Sequence, residues 1–439
     1  MLTHEENELI TRIEPGTPMG ATIRRYWLPA LLASELPGPD CPPVRARLLG
    51  EDLVAFRDTE GRIGLLEELC PHRRASLFFG RNEQCGLRCV YHGWKFDVTG
   101  QCVDMPSEPP DSNYKARLKI PAYPTHESGG IVWAYLGPPD KMTGFRDFGT
   151  EDLPREKWRA NKRFQPMTWM QLMEGSLDTT HPSWLHMFGA AKDLEDDGSD
   201  TPGVFNSGMA QWKFWAYDRS PRVEIVEDWF GFRAAGIRNT PKGNKHVRLY
   251  SFCLPYSAGM RTGGSCIVPI DDEYSLSFSF DTINSEMRDK LPVGGKGGLN
   301  YPGWPYDQDG VARTFENDYL IDRELQKNET IYTGILGPFN NQDVMARQTS
   351  FTDRTKEHLG TLDRKIILMR RLLINAAKNL ERGIEPPAID PSLPYDKIGR
   401  PDKVLLTGED WTRLGTPEDP DYAKVFAKAA QTMPPIAAT

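Results

Sequence analysis

Long apolar runs are missing from this sequence of 439 residues: no stretch approaches the ~20 consecutive apolar residues that a membrane-spanning helix requires. Basic excess is missing as well. A formal net charge of -8 leaves no positive footprint for nucleic acid, so neither a membrane nor a nucleic acid is an expected partner. No Gly-x-Gly-x-x-Gly follows a strand-like run, which leaves no flavin- or nicotinamide-binding fingerprint. The opening segment MLTHEENELITRIEPG is charged from its fourth residue and lacks the apolar stretch of a secretion signal, so a reducing, cytoplasmic setting is expected. In that setting seven cysteines are thiols or metal ligands rather than a disulfide framework. Repeats and low-complexity tracts are absent too.

What is present fits a folded protein of mixed helix and strand. Hydrophobic residues make up 39% and aromatics 10%, with Gly and Pro spread along the chain, which disfavours helix-only and disordered readings. The length allows two domains with sizeable cores. The segment VRARLLGEDLVAFRDTEGRIGLLEELC, residues 44–70, alternates apolar runs with turn signals at Gly50-Glu51-Asp52 and Asp58-Thr59-Glu60-Gly61. It reads as antiparallel hairpins. GGIVWAYLGPP, residues 129–139, reads as a closing strand.

Immediately after those hairpins the chain concentrates its soft and borderline metal donors. Cys70-Pro71-His72 is followed, sixteen residues on, by Cys89-Val90-Tyr91-His92, with Cys85 left over between them. Zinc modules usually pair two cysteines in one loop and two histidines in another, whereas here each loop supplies one of each. A [2Fe-2S] cluster with two thiolates on one iron and two imidazoles on the other needs that mixture. Cys70-Pro71-His72-Arg73 and Tyr91-His92-Gly93-Trp94-Lys95-Phe96-Asp97 resemble the two loops of Rieske proteins, and among them of the ring-hydroxylating oxygenases. The lead-in GTPMGATIRRYWLPALLASEL is similar to that of the phthalate-dioxygenase branch. The resemblance implies Cys70 and Cys89 on the inner iron and His72 and His92 on the outer one. It also implies an α+β fold: a small antiparallel β Rieske domain within residues 1–150, and a larger catalytic domain, 151–439, with a curved antiparallel sheet covered by helices.

An electron-carrying cluster needs a second centre if the chain itself performs chemistry. His4, His126, His246 and His358 stand apart from other candidate ligands. His181 and His186 do not: with Asp178 they form Asp-x-x-His-x(4)-His. On an uninterrupted helix a five-residue step would turn the two imidazoles about 140° apart. Pro182 is expected to break the helix between them and let them converge. The 2-His-1-carboxylate arrangement of non-haem iron(II) then asks for one more acid. GPFNNQDVMARQTS, residues 337–350, resembles the family segment that supplies it, which makes Asp343 the third ligand; Asp353 and Asp363 are weaker alternatives in capping contexts, and an N-cap role competes for Asp343 itself. The resemblance also gives Asp178 a role as a bridge between a cluster histidine of one subunit and His181 of the next within a homotrimer, or in stacked trimers.

The runs RVEIVEDWFGFRAAGI and HVRLYSFCLPY point to a sheet between residues 204 and 283, behind the iron. A strand over the second run puts His246, Arg248, Tyr250 and Phe252 on one face, so Arg248 is a candidate for holding an acidic substrate through two parallel hydrogen bonds. No convincing second arginine is visible. Ile366, Met369, Leu373, Ala376 and Leu380 recur at helical spacing and read as core; the tail after Gly383 reads as an irregular arm. The expectation is the terminal oxygenase of a multicomponent system, fed by a separate NAD(P)H-dependent reductase, that uses dioxygen to oxygenate an aromatic acid. Phthalate-like cis-dihydroxylation is the first reading and O-demethylation of a methoxylated lignin-derived acid the second. A Rieske electron carrier without chemistry of its own is the distant alternative.

Overall fold

The structure is a computed structural model, and it describes residues 2–150, 158–187, 199–203, 212–258, 264–282, 313–336, 339–350, 352–399, 402–416 and 419. After helices α1 (His4–Thr11) and α2 (Pro18–Ile23), ten strands follow: β1 (Trp27–Leu32), β2 (Val44–Leu48), β3 (Glu51–Arg57), β4 (Ile63–Glu67), β5 (Arg81–Glu83), β6 (Gly86–Arg88), β7 (Lys95–Phe96), β8 (Cys102–Asp104), β9 (Thr125–Ser128) and β10 (Ile131–Tyr135). They form three antiparallel sheets, β2-β3-β4, β5-β6-β7-β8 and β1-β10-β9. The hairpin turns fall where the sequence carries glycine: Gly50 and Gly61 sit at φ 80° and 83°, a region open mainly to glycine. A small core of its own, built on Val54, Phe56, Leu66, Leu77, Leu87, Trp94 and Phe96, includes the side chains of Cys70 and Cys89.

The rest of the chain is organised by one eight-stranded antiparallel sheet. It comprises β11 (Trp158–Gln165), β12 (Arg222–Asp228), β13 (Gly231–Asn239), β14 (Lys245–Cys253), β15 (Ser257–Ala258), β16 (Gly264–Pro269), β17 (Ser275–Thr282) and β18 (Asp402–Leu405). The order is β11-β17-β16-β15-β14-β13-β12, with β18 pairing β14. The sheet therefore draws on two stretches outside the 204–283 window that sequence reading marks, and residues 204–211, 259–263 and 283 lie outside the described residues. β18 falls in the tail expected to be irregular; its four residues carry too short a pattern to stand out, and pairing with β14 makes it a strand. Both faces of β13 are covered, so every residue from Gly231 to Arg238 is buried, Arg233 and Arg238 included. One face packs on Val247, Leu249, Leu405, Trp411 and Leu414 through Ala235 and Ile237.

The other face supports helices α3 (Trp169–Leu177) and α7 (Arg364–Glu381). The chain also forms α4 (Trp212–Tyr217), α5 (Arg323–Lys327) and α6 (Phe339–Gln348), and α6 lies along α3. In α7, Ile366, Met369, Leu373 and Ala376 are buried, as their spacing predicts, and Leu380 is half-buried. A buried ion network locks these helices together. Glu174 on α3 receives Arg354 through two bonds of 2.7 and 3.2 Å and Arg370 of α7 at 2.7 Å, while Arg370 also reaches Glu357 at 2.7 Å. Arg354 further touches Asn7 and Thr11 of α1.

Candidate metal centres and active site

The two cysteine–histidine loops are the same turn made twice. The amide of Cys70 donates to Ala75 O (2.9 Å) and Cys70 O accepts from Arg74 N (2.9 Å); likewise the amide of Cys89 donates to Trp94 O (2.8 Å) and Cys89 O accepts from Gly93 N (3.0 Å). The fourth residue after each cysteine has a left-handed backbone, Arg74 at φ 58° and Gly93 at φ 82°. Both thiols are buried, at 1% and 2% exposure, whereas His72 is exposed and His92 half-buried, with ring centroids 4.3 Å apart. His72 stacks on the indole of Trp94, centroids 4.3 Å apart and 14° between planes. Burial, followed by the proximity of Cys89, pushes the Cys70 thiol up to about 12, against the pull of the His72 amide. The Cys70 thiol thus stays protonated unless a cation compensates its thiolate. Cys85 lies in the preceding turn at φ 58°, its amide bonded to Thr59 Oγ1, away from this arrangement.

The second centre forms where α3 ends. Thr168 caps the helix and Gln171 completes a capping box. The helix stops earlier than Pro182 predicts: Asp178 is already its extended C-cap, and a single 3-10 turn, His181–Ser183, carries the proline. The reason is local. Asp178 Oδ1 accepts from Thr180 N (2.9 Å) and Oδ2 from His181 N (3.0 Å), a turn that competes with helix continuation. Asp178 and His181 are therefore in direct contact, Oδ2 to Nδ1 at 3.2 Å.

His181 Nε2 and His186 Nε2 lie 3.4 and 3.5 Å from the same oxygen, Asp343 Oδ1. The three donor atoms fall within 4.8 Å of one another, a spacing open to one metal ion. Asp343 is inside α6, which removes the N-cap reading, whereas Asp353 caps a 3-10 turn and Asp363 accepts the Gly360 amide. Burial raises the Asp343 carboxyl, but the bond to His186 and the charges of Arg347 and His181 hold it below its usual range. Burial likewise raises Asp178, and His181, Lys365 and the Thr180 amide outweigh it and hold it well below that range. Burial lowers His181, against the pull of Asp178, so a neutral imidazole is favoured, the form that binds metal.

Several residues around this centre were not singled out from sequence. Arg347 donates to Asp343 Oδ1 at 3.1 Å and crosses α3 at Gly175, where an added Cβ would lie 2.1 Å from its Nε. Its spacing of four from Asp343 is a signal that could have been read. Fully buried Lys365 holds its ammonium 3.8 Å from Asp178 Oδ1, and Gln342 bonds His186; no sequence pattern announces either. Arg238, also fully buried, donates to Thr179 O (2.6 Å) and Ser183 Oγ (3.1 Å) and so ties β13 to the His181 turn. Arg248 lies on the adjacent strand, opposite Gly236, and its guanidinium sits over Trp215 (4.8 Å) and Tyr250 (5.2 Å) and 3.9 Å from Asp402. His246 is fully buried against Phe214, its Nε2 2.6 Å from Asp402 Oδ1.

Residues 26–124 match the Rieske [2Fe-2S] domain family, and residues 134–432 match the family described as LigXa C-terminal domain like. The chain is 38% identical over 402 residues to the phthalate 4,5-dioxygenase oxygenase subunit of Pseudomonas putida, covering 87% of this chain and 88% of that protein. The chain belongs to the Rieske non-haem iron oxygenases. It is also 31% identical over 435 residues to the 5,5'-dehydrodivanillate O-demethylase oxygenase subunit of a Sphingobium species, covering 93% and 90%. The fold of this Rieske oxygenase is shared with dicamba monooxygenase, solved with dicamba bound: TM-score 0.54 at 18% identity, covering 82% of this chain and 99% of that one.

A Rieske oxygenase carries a [2Fe-2S] cluster and a mononuclear non-haem iron. The donor sets of this chain fit both. Two adjacent buried thiols beside two imidazoles nearer the surface suit a cluster with an inner and an outer iron, and two imidazoles with one carboxylate suit the single iron. Among the described residues no helix is long and apolar enough to cross a membrane.

Proposed function

We propose that this Rieske oxygenase oxygenates an aromatic carboxylate, with phthalate-like cis-dihydroxylation as the first reading. The observation that carries the proposal is the sheet face beneath the His181 turn. The register of β13 and β14 puts Arg238, Gly236 and Ala234 on one face with His246, Arg248 and Tyr250, and an added Cβ on Gly236 would lie 2.7 Å from Thr179 Oγ1. On that face Arg238 Nη1 and the Tyr250 hydroxyl are buried without a hydrogen-bond partner among the described residues. Burial lowers Arg238 to about 10, so this cation is held at a cost that an incoming carboxylate would relieve. Arg238 would supply the second arginine beside Arg248, and a neutral substrate would leave those donors unmatched. The phthalate-named relative supports the first reading, and the O-demethylase relative favours a second, removal of a methyl group from a methoxylated aromatic acid.

His181, His186 and Asp343 would hold the mononuclear iron, and Cys70, Cys89, His72 and His92 the cluster. When bound, these groups supply single electrons and a site for dioxygen activation. Asp178 orients His181 through the Nδ1 proton, and we infer that its carboxylate also meets His72 or His92 of a second copy in a homotrimer or stacked trimers. The division of the chain near residue 150, a cytoplasmic setting and a separate NAD(P)H-dependent reductase belong to the same proposal.

Product analysis tests it: the purified chain, a reductase, NADH and oxygen are incubated with phthalate isomers, vanillate-like acids and biaryl acids. Oxygenated or demethylated product from at least one acid is expected. Turnover of none of these acids, with turnover of their neutral aromatic counterparts run in parallel, would contradict the acid reading, and NADH oxidation by the chain alone would contradict the need for a reductase.

A further inference from the structure

The two histidines that approach Asp343 are held by acceptors of different kinds. His181 presents Nδ1 to the carboxylate of Asp178, whereas His186 presents Nδ1 to the side-chain oxygen of Gln342 at 2.9 Å. Gln342 is completely buried, and its Nε2 donates to Ile335 O at 3.1 Å. A backbone carbonyl only accepts, so the amide nitrogen must face Ile335 and the amide oxygen must face His186. That oxygen can only accept in turn. The proton of neutral His186 is therefore on Nδ1, and the lone pair on Nε2 points toward Asp343.

We propose that Gln342 is a positioning residue: it fixes His186 as the Nδ1–H tautomer, and the affinity of the His181, His186 and Asp343 site for a divalent metal depends on this one amide. The proposal rests on the reading of those three residues as metal ligands. Gln342, beside Asp343 on helix α6, ties the start of this helix to Ile335 seven residues upstream and to the distant turn carrying His186. Losing the acceptor frees the imidazole to rotate and to take the tautomer whose proton blocks Nε2. Partners of this kind at other metal sites typically change affinity about 10–100-fold.

The test titrates Co(II) by calorimetry into cluster-loaded protein whose mononuclear metal has been removed by chelation. Gln342→Met keeps the length of the side chain and removes the strong acceptor. It is expected to weaken Co(II) binding about 10–100-fold while the visible cluster absorption is unchanged. Gln342→Glu keeps an acceptor for His186 in either protonation state, and as the neutral acid it also donates to Ile335 O. Its affinity is expected within about threefold of wild type, a gap of less than about 1 kcal/mol. Wild-type affinity in the Met variant would overturn the proposal. So would equal losses in the Met and Glu variants, which would make Gln342 a packing residue. An Asp343→Ala control that binds Co(II) as wild type does would instead overturn the ligand reading beneath it.

Discussion

Asp178 meets His181 twice, through the backbone amide at 3.0 Å and through Nδ1 at 3.2 Å, both on the one oxygen Oδ2. The same carboxylate that ends helix α3 therefore sets the angle of the imidazole. Its other oxygen faces the buried ammonium of Lys365. Asp178→Asn retains the shape but loses the charge and one acceptor. It is expected to keep both metals and the fold, with turnover lowered at least about 10–100-fold. Metal analysis, dithionite reduction of the cluster and single-turnover kinetics check this. Wild-type turnover would make Asp178 an ordinary C-cap, and loss of iron would make it a ligand.

Cys89 is buried next to Cys70, whereas Cys85 sits half-exposed in a turn. Cys89→Ser is expected to abolish the visible absorption of the cluster, because a hydroxyl replaces thiolate poorly on iron, and Cys85→Ser should leave the spectrum as in wild type. An intact spectrum in the Cys89 variant would remove the assignment of that residue.

Glu174 compensates two buried guanidinium groups, Arg354 at 0% and Arg370 at 3% side-chain exposure. Glu174→Leu leaves both without this partner, and a cost of about 3–5 kcal/mol is expected from breaking a buried ion pair. Denaturant unfolding of metal-loaded protein measures it. A change below about 0.5 kcal/mol, the range of ordinary surface substitutions, would show that the network does not hold α3 in place.

Arg238 and Arg248 flank the face proposed to receive the substrate. Arg248→Ala is expected to raise KM for the aromatic acid more than it lowers kcat, by roughly tenfold or more for a lost charged hydrogen bond of about 1.5–3 kcal/mol. Arg238→Ala should do the same and also loosen the His181 turn, so kcat falls as well. Unchanged KM in both variants would move the substrate elsewhere.

Much of the fold could be read from local chemistry. The hairpins of β2, β3 and β4 are bounded by glycine turns, and the two cysteine–histidine loops each carry their donors within four residues. The helix α7 announces itself through Ile366, Met369, Leu373 and Ala376. Other features depend on distant partners. Strand β18 exists because β14 offers an edge to it. The end of α3 was misplaced because Asp178 competes with the helix before Pro182 is reached. The approach of Asp343 to both histidines is tertiary, and only family resemblance pointed to it. Arg238 carries no such signal, since nothing in its own strand shows that Thr179 and Ser183 lie above it.

The central claim is that oxygen chemistry occurs at His181, His186 and Asp343 on an aromatic acid. A single-turnover reaction of fully reduced protein with ¹⁸O₂ and the preferred acid, run on wild type and on Asp343→Ala with matched cluster absorption, tests it most directly. The account predicts ¹⁸O incorporated from dioxygen in the wild-type reaction and no oxidised product from the variant, with its cluster still reducible. Product formed equally by the variant, or wild-type reactions that never oxidise any aromatic acid, would contradict it.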